Sequence, residues 1–147
     1  MSFRRLGVIF VLLLINLSLS ESESPKEDKE VEAVVGGYLP EYRSYINVNE
    51  SATLLSDLIL FSIEPKVDGS VKGSCCLGSD HFDLVRKARS HAPNLRLWVT
   101  VGGGGRSQHF RRIVSDEHLR RQLLVQLREL CETEDLDGVD FDWEVPM

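Results

Sequence analysis

Asp137-Gly138-Val139-Asp140-Phe141-Asp142-Trp143-Glu144 is the stretch on which the reading of the chain turns. Asp140, Asp142 and Glu144 are spaced by two, and a β-strand sends every second side chain to the same face. These carboxyls therefore share one side of a strand. Val139, Phe141 and Trp143 take the opposite side, where their bulk suits packing against covering helices. A solvated acidic face is not interleaved with Val, Phe and Trp. A calcium loop also uses acids at alternate positions, but it needs a central Gly and flexible polar spacers, which Phe141 and Trp143 are not.

Working outward from that strand, short apolar runs alternate with longer amphipathic ones, the pattern of strand-helix units around a parallel sheet. The strands read as Ala33 to Leu39, Leu58 to Ile63, Leu95 to Val101 and Leu136 to Glu144. Before the last, Leu119, Leu123, Leu124, Leu127 and Leu130 recur on one face of a helix. Ser115 is its expected N-cap, with Asp116 and Glu117 as a negative first turn. A second helix is expected from Ser79 or Asp80 to about Ala92, ended by Pro93, and a short one around Asn49 to Ser56. Strands so rich in Val, Leu and Ile suit a sheet buried on both faces, either an open doubly wound sheet or an eight-stranded barrel. Periodicity leaves both open. The acids of the fourth strand favour the barrel, whose inward side chains approach the carboxyl-terminal mouth where sites of that fold are built.

Carboxyls about 7 Å apart along a partly enclosed wall cannot all ionise freely, so at least one is expected to hold its proton. A held proton is what cleavage of a glycosidic bond requires, because the leaving oxygen must be protonated as the bond breaks. Glu144, nearest the strand's end and longest in reach, is the natural donor. The glycine run Gly102 to Gly105 could instead cradle a phosphate, but no Lys-Ser or Lys-Thr follows it and no Gly-x-Gly-x-x-Gly is present. The expected use of these glycines is to let backbone pass close to a ligand at the strand's end.

The rest of the 147-residue chain narrows the setting. Arg4 and Arg5, an apolar run from Leu6 to Leu17 and the small exit Ser18-Leu19-Ser20 follow the grammar of a secretory signal peptide, expected to span residues 1–20. About twelve apolar residues fall short of the roughly twenty that span a bilayer, so no membrane association is expected after cleavage. Residues 21–32 are nearly all polar and acidic and read as a solvated linker. The net charge is −6 with no basic stripe, which argues against nucleic acid as a partner. Cys75, Cys76 and Cys131 make an odd number. An oxidising compartment would let Cys131 pair with one of the adjacent two, or with a cysteine on sequence not present here. No Cys-x-x-Cys or helical His pair supports zinc, and no metal or cofactor is called for.

The four acids Asp137, Asp140, Asp142 and Glu144, as Asp-x-x-Asp-x-Asp-x-Glu, resemble the signature of glycoside hydrolase family 18, the chitinases and related endo-N-acetylglucosaminidases. Thr100-Val101-Gly102-Gly103 is similar to the family's Ser-x-Gly-Gly element one strand earlier, and Val35-Gly36-Gly37-Tyr38 is more weakly similar to its opening strand. The resemblance covers about Ala33 to Met147. It implies a (β/α)8 TIM barrel of which about the first four strands are present, and a secreted enzyme acting on chitin or another N-acetylglucosamine glycan. It also implies a substrate-assisted retaining mechanism in which the 2-acetamido oxygen is the nucleophile. In that scheme Glu144 is the general acid, then the base. Asp142 orients the acetamido group, Asp140 supports Asp142, Thr100 hydrogen-bonds an inner Asp, and Asp137 holds the strand. Gly102 and Gly103 lie at the sugar site; Tyr38 lines it or is a core aromatic. Gly104 and Val145 stand where the family often has Trp and Tyr, departures that bear on sugar affinity. A family lectin without activity is the alternative, which typically lacks the acid found here at Glu144. Such barrels take about 250 residues, so residues 33–147 are expected to be a truncated catalytic domain, inactive alone.

Overall fold

A computed structural model of the protein describes residues 33–43, 47–71 and 77–144. Residues 1–32, expected to be a signal peptide and a linker, lie outside the described residues, as do Cys75, Cys76 and Val145. The elements run β1 (Gly36–Pro40), a 3-10 turn (Glu41–Arg43), α1 (Asn49–Ala52), β2 (Asp57–Ile63), α2 (Ser79–His91), β3 (Arg96–Gly102), α3 (Phe110–Ser115), α4 (Glu117–Glu134) and β4 (Gly138–Asp142).

All pairings are parallel and the strand order is β1-β2-β3-β4. A doubly wound sheet reverses its order at a switch point, whereas a barrel wall lays each strand beside the one before it. No reversal occurs here. The sheet is part of a (β/α)8 barrel, and the choice that periodicity left open is settled by strand order.

Register sorts the side chains. Leu60, Val99 and Val139 lie opposite one another, as do Leu58 and Leu97. This face joins Phe82, Val85 and Ala88 of α2 and Leu119, Leu123 and Leu127 of α4 in one buried core. Each fully buried aliphatic side chain contributes roughly 1.5–3 kcal/mol, so the helix-covered face carries most of the packing stability. The other face carries Tyr38, Ile59, Trp98, Thr100, Asp140 and Asp142.

Two strands are shorter than their apolar runs. Val35 exchanges hydrogen bonds with Ser56 before the ladder opens at Gly36 opposite Asp57, and its side chain is exposed. At the other end, β3 turns away after Gly102, so among the described residues Trp143 and Glu144 have no ladder neighbour. The cap of α4 is also corrected. Ser115 ends the separate short helix α3 and its hydroxyl donates to Arg111 O, while Asp116 Oδ1 accepts from the N–H groups of His118 and Leu119 at 2.8 and 3.2 Å. Leu124 is 57% exposed. At 100° per residue it stands about 140° from Leu119, outside the stripe formed by Leu119, Leu123 and Leu127.

Arg86 and Arg89 of α2 reach the end of α4, Arg86 to Glu134 and Arg89 to Asp135. Among the described residues Cys131 is a free thiol, its pKa raised first by burial and then by the charges of Asp137 and Glu132. Among the described residues no helix is long and apolar enough to cross a membrane.

Candidate active site

The carboxyl end of β4 is organised by its register with β3, which sets Thr100 opposite Asp140 and Gly102 opposite Asp142. Side chains of opposed residues point the same way, so a hydroxyl on β3 meets a carboxyl on β4. Thr100 Oγ1 donates to Asp140 Oδ2 at 3.0 Å, and the same oxygen accepts from the Tyr38 hydroxyl at 3.0 Å. Thr100 is fully buried; Tyr38 is 59% exposed and therefore not a core aromatic. Partial burial, the hydrogen bond to Asp140 and the charges of Asp140 and Asp142 hold the Tyr38 phenol above its usual pKa of 10.0.

Asp142 and Glu144 reach back over the glycine run. A methyl group placed on Gly103 would lie 3.4 Å from Asp142 Oδ2, and one on Gly104 would lie 3.5 Å from Glu144 Oε2. Gly102 and Gly103 have φ of +102° and +94°, a region side chains rarely adopt. Both are buried, Gly102 beneath Phe110 and against Asp142 O, Gly103 beneath Phe61, and any side chain there would collide with those atoms. It is Gly104 and Gly105 that face solvent. The Asp142 carbonyl accepts from Gly103 N–H at 2.8 Å and from Ser107 Oγ at 3.0 Å.

Asp137 is not brought to this group. It lies before β4 begins, where its Oδ2 accepts the Leu97 N–H at 2.8 Å and pairs with Arg89, while its own N–H donates to Leu97 O at 2.7 Å. Tyr38, Thr100, Asp140 and Asp142 come together at the carboxyl ends of their strands. An open cleft of about 480 Å³ lies there, lined by Tyr38, Pro40, Phe61, Asp140, Phe141 and Asp142. Glu144 is exposed just beyond this lining.

Three groups at this end were not singled out from the sequence. Phe61, inside an apolar run that reads as uniformly buried, instead sets its ring edge-on to Tyr38 with centroids 6.3 Å apart. The Phe61–Ser62 peptide is cis and falls where the β2–β3 register shifts. Arg106 donates to Ser62 Oγ at 2.8 Å and to Glu41 Oε1 at 2.5 Å, tying the loop after β3 to the ends of β2 and β1. Burial alone would raise the Glu41 pKa, but the bond from Arg106, a backbone hydrogen bond and the charges of Arg106 and His81 together outweigh it and the value is lowered. Ser107 is the third, with its hydroxyl between β3 and the residues that follow β4. Only the isolated charges of Arg106 and Glu41 were visible in the sequence, and nothing in their spacing marks them as partners.

Residues 34–147 match the model of the glycosyl hydrolases family 18, and the chain belongs to that family. Solved structures share its fold. A chitinase from Rhizomucor miehei is 22% identical over 78% of this chain and 34% of its own, with a TM-score of 0.66. A glycoside hydrolase family 18 N-acetylglucosaminidase from Paenibacillus barengoltzii is 22% identical over 78% of this chain and 32% of its own, with a TM-score of 0.68. A family 18 chitinase from Cycas revoluta, solved in complex with (GlcNAc)3, is 21% identical over 78% of this chain and 35% of its own, with a TM-score of 0.64. The chain thus spans about a third of the length of these structures. No curated protein sequence matches it.

Proposed function

We propose that the protein is a secreted chitinase-like enzyme that hydrolyses β-1,4 linkages between N-acetylglucosamine units by a substrate-assisted, retaining mechanism. The observation that carries the reading is that Asp140, held by both Tyr38 and Thr100, and Asp142 line an open cleft, with Glu144 exposed beyond that lining. Glu144, exposed and at the end of the series, gives its proton to the leaving glycosidic oxygen and then takes one from the attacking water. Asp142 holds the 2-acetamido group so that its carbonyl oxygen reaches the anomeric carbon, and its negative charge stabilises the cation that forms.

Asp140 supports Asp142 from two residues back along the strand. Its Oδ2, already occupied by two donors, cannot swing away. The half-exposed faces of Tyr38 and Phe61 offer apolar surface to a sugar ring. Asp137 acts at a distance by fixing β4 to β3. Gly102 and Gly103, buried under Phe110 and Phe61, serve the sugar site by letting β3 pass close beneath Asp142. Export of the enzyme rests on the signal-like residues 1–20, and the amino-terminal sequence of the mature protein tests it.

The test of the reaction is Glu144→Gln in the full-length protein, assayed on a chromogenic N-acetylglucosamine oligosaccharide. Turnover falls by about 10²–10⁴, the contribution of a positioned general acid, while binding of the unmodified oligosaccharide persists. Turnover equal to that of the parent rules the assignment out.

A further inference from the structure

The β3–β4 ladder ends too early to hold the acid on which the proposed reaction depends. Its last paired residues are Gly102 and Asp142, and the final backbone bond runs from Gly103 N–H to Asp142 O at 2.8 Å. Residues 104–106 then form a turn, closed by Arg106 N–H on Gly103 O at 2.9 Å. Among the described residues no strand lies alongside Trp143 and Glu144. Backbone beyond the last rung of a sheet is the part least constrained, yet a general acid needs its position fixed to within about half an ångström.

Ser107 comes back to that gap. It is 4% exposed, and its hydroxyl oxygen accepts the Glu144 N–H at 3.1 Å. The hydroxyl proton has two carbonyls within reach, Asp142 O at 3.0 Å and Gly103 O at 3.2 Å. A serine hydroxyl carries one donor and two acceptor lone pairs, so it can serve a carbonyl and the Glu144 N–H together. The side chain thereby extends the β3 side of the ladder beyond its last rung, offering an acceptor to one residue and a donor to another on the same strip of backbone. The residue between them is held from the same segment, because the Phe110 ring packs on Trp143 with centroids 5.5 Å apart and Phe110 N–H donates to Ser107 O at 3.2 Å.

We propose that Ser107 is a positioning residue for Glu144, fixing the backbone from which the proton donor reaches over Gly104. This rests on the role proposed above for Glu144. Ser107 does not touch substrate in this account; it acts through the acid. A serine that merely closed the turn would need only its bond to Gly103 O, and losing it would lower stability without selecting the chemical step.

Three variants of the full-length protein decide the matter, namely Ser107→Ala, Ser107→Cys and Glu144→Gln, with steady-state kinetics on a chromogenic N-acetylglucosamine oligosaccharide and calorimetry with unmodified (GlcNAc)3. Ser107→Ala is expected to lose tenfold or more in kcat while KM and the affinity for (GlcNAc)3 stay within twofold. Ser107→Cys keeps the volume but gives up most of the acceptor strength, so it falls in the same direction, and it decides the question if the alanine variant folds too poorly to assay. A kcat within twofold of the parent in a folded Ser107 variant, with Glu144→Gln inactive, overturns the positioning role alone. So does a fall in kcat matched by an equal loss of affinity and a lowered melting temperature. If Glu144→Gln keeps the parent's turnover, the reading of Glu144 falls first and the role of Ser107 falls with it.

Discussion

Tyr38 donates a hydrogen bond to Asp140 across 3.0 Å, although their strands β1 and β4 are separated by two others in the sheet. Strands sit about 4.8 Å apart, so in a flat sheet these two would be roughly 14 Å from each other. A phenol and a carboxylate cannot bridge that span. The contact therefore records how sharply the wall curves, and it shows why the site can form only on the concave side, where side chains of non-adjacent strands converge.

Because Tyr38 and Thr100 donate to the same oxygen of Asp140, each covers part of the loss of the other. A hydrogen bond to a charged group contributes about 1.5–3 kcal/mol, roughly ten- to a hundredfold in rate if wholly lost, and the lower end applies while the other donor remains. Tyr38→Phe and Thr100→Val are each expected to lower kcat in the full-length protein about tenfold. The double variant should fall by more than the product of the two. A double variant no worse than that product would mean that the donors act independently.

The same contact has a pH signature. The Tyr38 phenol is raised above 10.0 by partial burial and by Asp140 and Asp142, all of which favour its protonated form. A group whose folded pKa lies above its unfolded value contributes stability that is complete below the unfolded value and is lost as pH rises through the folded one. Ultraviolet titration should show one tyrosine ionising late, and Asp140→Asn should bring it down while leaving the part due to burial. An unchanged titration in that variant would sever the link between the two residues.

Leu123 and Leu124 are adjacent in the sequence and equivalent in composition, yet only Leu123 is buried. Leu123→Ala is expected to cost about 2–5 kcal/mol, the usual range for a buried leucine, and Leu124→Ala less than about 0.5 kcal/mol, as for an exposed position. Chemical denaturation of the two variants reads this directly. Equal losses would move the helix's buried stripe.

That pair also marks what the sequence could disclose. The strands were legible because their faces are apolar over four to six residues, and the acids of β4 because a period of two places Asp140 and Asp142 on one face whatever lies around them. Leu124 misled because a heptad-like run of leucines exceeds the width of one stripe, and which side is covered depends on α2 and β4. Ser115 misled for a related reason, since a short helix of low intrinsic stability, α3, exists only by burying Phe110 and Ile113. Ser107, Arg106 and Glu41 could not be read at all. Apart from Gly103, their side-chain partners lie 35 to 65 residues away, at distances fixed only when the strands pair.

Asp57 belongs to that second kind, a single acid in an apolar run whose neighbours appear only in the folded sheet. It is 6% exposed, and it accepts from Arg96 Nη2 at 2.7 Å, Trp98 Nε1 at 2.7 Å and Ser56 Oγ at 2.9 Å. Burial alone would raise its pKa, but the bonds from Arg96, Ser56 and Trp98 outweigh it and the value falls below 3.8. Asp57→Ala strands the half-buried Trp98 N–H and is expected to cost about 2 kcal/mol at neutral pH. A depressed carboxyl contributes stability that is present above the unfolded value and lost as pH falls through the folded one. The gap between the parent and Asp57→Ala should therefore stay constant from pH 7 to about pH 5 and narrow below pH 4, whereas Asp57→Asn should show a smaller loss with no such narrowing. Urea denaturation at pH 7, 5 and 3 separates these cases, and a gap as wide at pH 3 as at pH 7 would show that the charge of Asp57 is not what the network uses.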